Sequence, residues 1–114
     1  MSKLFKEITA DLLPALGKLR KEIPDVMSGF DKLAIAATKE GALSKKTKEL
    51  IALALGIAGH CDGCIGFHMQ ALVRLGVTRE ELLETLSMAI YMGGGPSLMY
   101  AAEALKAFEE LSPQ

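Results

Sequence analysis

Met69-Gln70-Ala71-Leu72-Val73-Arg74-Leu75-Gly76-Val77-Thr78-Arg79-Glu80-Glu81 reads as the end of one helix followed at once by the start of another. Met69, Leu72, Val73 and Leu75 recur at helical spacing until Gly76, the residue type that most readily closes a helix. Thr78 with Glu81 three residues later is a capping box, in which each residue satisfies a backbone N–H near the other. The fold class then depends on whether the flanks follow the same period.

They do. Leu82, Leu83, Leu86, Ala89 and Ile90 form an apolar stripe that ends at Gly93-Gly94-Gly95-Pro96, a run that predicts a break, and a last helix is expected from about Ser97 to Leu111. Upstream, Ser44 is a good N-cap for a helix over Lys45–Ala58 that begins with lysines and Glu49 and becomes apolar on all sides. Gly56 and Gly59 would let a neighbouring backbone approach, or Gly59 would simply end that helix. Pro24 suits the first turn of a helix in which Val26, Met27, Phe30, Leu33, Ala34 and Ala37 predict one buried face as far as Gly41. Between Lys3 and Lys21, Leu12, Leu13, Leu16 and Leu19 lie on one side, with Pro14 predicting one kinked or two short helices. No run alternates with a period of two and β-branched enrichment, so the expected class is all-α, about six helices in a single domain over residues 1–114.

Composition narrows the function classes. Half of the 114 residues are apolar, enough for one hydrophobic core, and the formal charge of −1 offers no positive field for nucleic acid or an anionic membrane surface. The longest apolar run, Leu50 to Ala58, is less than half of the roughly 20 residues needed to span a bilayer, and the N-terminus lacks the apolar core of a signal peptide. A cytoplasmic protein is expected. So much apolar surface in so short a chain also predicts a homo-oligomer.

Both cysteines and both histidines fall within His60-Cys61-Asp62-Gly63-Cys64-Ile65-Gly66-Phe67-His68. A helix starting near Cys61 puts Cys64 one turn on and His68 four residues beyond it, so the three side chains share one stripe. Cysteines three apart at a helix start can reach disulfide geometry, and the exposed N–H groups of that helix end favour a thiolate. His68 is placed to accept the thiol proton of Cys64 and return it to a leaving group, and Glu49 is the candidate by position to orient the imidazole. His60 is expected to stand outside this relay. A competing reading makes His60, Cys61, Cys64 and His68 the ligands of a zinc ion in a non-enzymatic helical oligomer, although structural zinc sites draw ligands from two separated segments. Haem attachment is excluded, since Ile65 and not histidine follows Cys64. Gly93–Pro96 lacks the lysine and hydroxyl of a P-loop and reads as a helix–helix turn, and Met88, Met92 and Met99 read as core or subunit contact.

Glu49, Cys61-x-x-Cys64-x-x-x-His68, Gly76 with Glu80 and Glu81, and Met92-Gly93-Gly94-Gly95-Pro96 together resemble the carboxymuconolactone decarboxylase family, in its AhpD-like alkylhydroperoxidase branch. The similarity runs from about Leu43 to Ala101. The resemblance implies an all-helical fold assembling into homotrimers or homohexamers, with thiol-dependent reduction of a peroxide or a disulfide and an external dithiol or thiol-redox protein as reductant. It makes Cys64 the attacking thiolate, Cys61 the resolving thiol, and His68 with Glu49 the proton relay, with no cofactor and no resident metal. The chain departs from AhpD in being a single unit and in carrying Asp62-Gly63 where AhpD has a histidine between its cysteines. The decarboxylases that name the family do not depend on such a pair. A lyase of their kind, with incidental cysteines, is the alternative enzymatic expectation.

Overall fold

Five helices make up the architecture of the computed structural model, which describes residues 4–113: α1 (Phe5–Glu22), α2 (Pro24–Thr38), α3 (Lys45–Ala58), α4 (Asp62–Arg74) and α5 (Arg79–Leu111). There is no strand among the described residues, so the chain is all-α as expected. No helix among them is long and apolar enough to cross a membrane.

The core forms where α3, α4 and α5 meet. Leu53 and Ile57 of α3, Ile65, Met69 and Leu72 of α4, and Leu82 of α5 are fully buried, each at the apolar spacing of its own helix. Burying a side chain of this size contributes about 1.5–3 kcal/mol, so this cluster outweighs any single cap or ion pair in holding the three helices together. Ala101, Ala104 and Ala107 bring the end of α5 close against them.

α5 is one element only in name. Gly94 leaves the helical region (φ 73°, ψ −155°), and Arg79 Nη1 reaches Glu109 Oε2 at 2.9 Å. A straight helix would hold residues thirty apart at about 45 Å, so the element folds back as two antiparallel arms. The glycine run thus breaks the helix as its composition predicts. Gly93 is required at the bend because a Cβ there would meet Ser97 Oγ at 1.9 Å.

Of the two readings that Pro14 left open, one helix holds: Pro14 lies inside a single α1 and does not divide it into two short helices. One expectation needs correction. α2 buries no residue: Val26 is 65% exposed, Phe30 62%, Leu33 64% and Ile35 71%. The apolar period that forms α2 is real, but the chain supplies only the flanks of α1 and α3 beside it, and neither covers that face.

α1 instead packs across α4, close to the cysteines. A Cβ on Gly66 would lie 2.7 Å from Thr9 Cγ2, and one on Gly63 would lie 2.9 Å from Leu12 Cδ1, so the two glycines form the trough in which α1 rests. Gln70 Nε2 donates to Thr9 Oγ1 at 2.9 Å, and Glu110 accepts from the backbone N–H groups of Phe5 and Lys6 at 2.9 Å each. The second of these contacts caps α1 from the far end of α5.

Candidate active site

α3 starts at Ser44, whose hydroxyl accepts from Thr47 N–H at 3.1 Å, and its lysines stay at the periphery. Lys46 pairs with Glu81 at 2.9 Å, and Lys48 donates to the Lys39 carbonyl at 2.6 Å. Glu49 turns the other way and is only 6% exposed. An ionised carboxylate so buried needs a donor. That donor is His68 of α4, whose Nδ1 lies 2.6 Å from Glu49 Oε2. With the Nδ1 proton directed at the carboxylate, Nε2 is left as the acceptor.

One turn back along α4 stand the cysteines. Cys61 is the N-cap, and its Sγ accepts from Cys64 N–H at 3.1 Å. Cys61 and Cys64 form a disulfide with Cα atoms 5.2 Å apart, inside the usual range for such a bond. Cys64 can stand this close to α3 because position 56 is glycine: a Cβ there would lie 2.9 Å from Cys64 Cβ. Of the two roles open to Gly56 and Gly59, close approach belongs to Gly56, and Gly59 is the C-cap of α3.

The structure therefore joins Cys61 to Cys64 and Glu49 of α3 to His68 of α4, with His68 four residues beyond Cys64 on the same helix. His60 goes elsewhere: it has a left-handed backbone (φ 56°), and its ring stacks on Tyr100 of α5 with centroids 4.7 Å apart. The four donors of the zinc reading are thus committed separately, and among the described residues no three His, Cys, Asp or Glu side chains are grouped to hold a metal ion. Sequence reasoning missed Tyr100, which lies on another helix and carries no local signal, and Leu12, whose contact with Gly63 depends on how α1 crosses α4.

Two surface hollows are lined by neither cysteine. One of about 310 Å³ runs between α3 and the first arm of α5, bounded by Leu50, Ile51, Leu55 and Met88. Another, of about 260 Å³, continues it past Ala58, Met92 and Gly93. Their walls are almost wholly apolar and hold no acid–base group.

Comparison with known proteins agrees with this architecture. The sequence model of the carboxymuconolactone decarboxylase family matches residues 24–107. An uncharacterised protein of Cupriavidus necator is 45% identical over 96 residues, covering 84% of this chain and 85% of its own. A second uncharacterised relative, encoded in the cox locus of Paracoccus denitrificans, is 32% identical over 85% of this chain and 87% of its own. Among solved structures, an apo carboxymuconolactone decarboxylase family protein from Legionella pneumophila superposes with a TM-score of 0.94 at 69% identity, covering 96% of this chain and 97% of that one. A Thermotoga maritima protein of the same family, provisionally linked to an antioxidative response, superposes with a TM-score of 0.80 at 29% identity, covering 90% and 88%.

Proposed function

The chain belongs to the carboxymuconolactone decarboxylase family, and within it we propose that this protein is a thiol-dependent oxidoreductase that reduces peroxides or disulfides through Cys61 and Cys64. The observation that carries the reading is the disulfide at the start of α4 with His68 one turn beyond Cys64, its half-buried imidazole held by the buried Glu49 carboxylate. Packing alone does not call for that combination. The provisional link of the Thermotoga maritima relative to an antioxidative response points the same way.

In the peroxide reaction, His68 Nε2 takes the Cys64 proton, and the thiolate attacks the outer peroxide oxygen. The O–O bond breaks, Cys64 becomes a sulfenic acid, and the departing alkoxide takes the proton back from His68 and leaves as an alcohol. Cys61 then attacks the sulfenic sulfur, water leaves, and the disulfide closes. An external dithiol, a small molecule or a thiol-redox protein of the cytoplasm, restores both thiols and is itself oxidised to a disulfide. With a disulfide substrate, Cys64 attacks one sulfur, the first thiol departs in place of the alcohol and a mixed disulfide forms, and Cys61 then attacks the Cys64 sulfur and releases the second thiol in place of water. Throughout, Glu49 holds the imidazole in the tautomer that accepts at Nε2.

The uncovered faces of α2, α3 and α5 support assembly into a homotrimer or homohexamer. Phe30, Leu33, Leu55 and Met92 are each more than half exposed in the single chain. The test of the activity is turnover: reduced protein supplied with dithiol consumes a peroxide or a small disulfide, and Cys64→Ser abolishes it. Equal consumption by wild type and Cys64→Ser would reject the reading. Loss of a carboxylate from a small acid by a Cys61→Ser, Cys64→Ser variant would establish the lyase instead.

A further inference from the structure

Two helices of this fold end in the same hydrogen-bonded turn. At the end of α4, Gly76 N–H donates to the Val73 carbonyl at 3.1 Å and Val77 N–H to the Leu72 carbonyl at 3.0 Å, with Gly76 in the left-handed region (φ 76°). At the end of α3, His60 N–H donates to the Ile57 carbonyl at 3.1 Å and Cys61 N–H to the Gly56 carbonyl at 2.9 Å, but the left-handed residue is His60 (φ 56°). Glycine fits such a position without the Cβ clash that histidine meets there. The turn alone therefore does not account for His60. Its ring does find a partner: it lies within 3° of parallel to Tyr100 on the second arm of α5. The next residue, Cys61, both closes the turn of α3 and caps α4.

Resting on the thiol-oxidoreductase reading, we propose that His60 and Tyr100 are a positioning pair for Cys61. The stack fixes the turn to α5, so that in the reduced protein the Cys61 thiol stays at the α4 N-cap beside Cys64. It acts on the backbone of residue 61 and not on the reacting sulfurs, raising the effective concentration of one thiol toward the other. Loss of the stack frees that residue, and ring closure becomes less favourable by the ordering it must then undergo.

The test is equilibration with glutathione, in which the two thiols and one glutathione disulfide give the Cys61–Cys64 disulfide and two glutathione thiols. Fractions are read by mass after trapping. His60→Gly, His60→Asn and Tyr100→Leu are each expected to shift the equilibrium about tenfold toward the dithiol. Tyr100→Phe, which keeps an aromatic ring, is expected to shift it less than Tyr100→Leu, and His60→Gly/Tyr100→Leu to shift it no further than either single change. His60→Gly places at this turn the residue that closes α4, so its thermal midpoint should stay close to wild type. An equilibrium that is unmoved in the three single variants, or moved toward the disulfide, would overturn the proposal. A wild-type pair that fails to exchange with glutathione at all would instead overturn the oxidoreductase reading beneath it.

Discussion

Glu49 sits where an ionised carboxylate is tolerated only with a donor beside it, and His68 is that donor. Removing the ring in His68→Ala leaves the carboxylate buried and unmatched, which is expected to cost about 1–3 kcal/mol of stability in chemical denaturation. The same change is expected to slow alkylation of reduced Cys64 by about 10²–10⁴-fold, the usual worth of a positioned base, and Glu49→Gln by roughly 10–100-fold. Alkylation rates that do not change in either variant would remove the relay. Much of this constellation was legible in the sequence, because Cys61, Cys64 and His68 are neighbours on one helix and their spacing alone puts them on a stripe. Glu49 was legible by position only, since the direction of its side chain depends on how α3 packs on α4. The spacing sets His60 apart from the stripe, and its left-handed backbone and contact with Tyr100 leave no mark within a local window.

At the scale of elements, α1 occupies the space that a side chain at position 63 would need. Gly63→His, which puts an imidazole between the cysteines, is expected to destabilise the chain by about 1–3 kcal/mol through overpacking against Leu12. Combining it with Leu12→Ala should recover most of that loss, and equal thermal midpoints for wild type and the single variant would contradict the contact. The capping box that opens α5 carries a pH dependence. Hydrogen bonding from Thr78 N–H, followed by Lys46, holds the Glu81 carboxyl below its ordinary value. A depressed folded value means support that is present above the ordinary carboxylate range and lost as the pH falls through the lowered one. Glu81→Gln should therefore flatten the acid limb of the stability curve, by a small amount because the group is exposed; an acid limb as steep as wild type would deny Glu81 that part. Helix boundaries were legible wherever caps are local, at Ser44, Thr78–Glu81 and Gly76. The fold-back at Gly94 was legible in its glycines, whereas Pro14 left one helix or two open, a choice that depends on the packing of α1 against α4.

For the whole molecule, surplus apolar surface was legible in the composition but not its place: the period of α2 predicts a buried face that the single chain leaves open. Periodicity reports that a face is apolar and cannot tell whether the same chain or another copy covers it. Light scattering is expected to give three or six chains per particle, and Phe30→Ser/Leu33→Ser to shift the population toward monomer; a monomeric wild type at micromolar concentration would contradict the assembly. The central claim is that the Cys61–Cys64 pair moves between dithiol and disulfide as the working couple of the protein. Its most direct test is anaerobic titration of the reduced chain with peroxide and, separately, with glutathione disulfide, reading the mass of the peptide that contains both cysteines. That peptide is expected to lose two hydrogen atoms, complete at about one equivalent of oxidant, with no stable adduct. A peptide mass unchanged by both oxidants would contradict it.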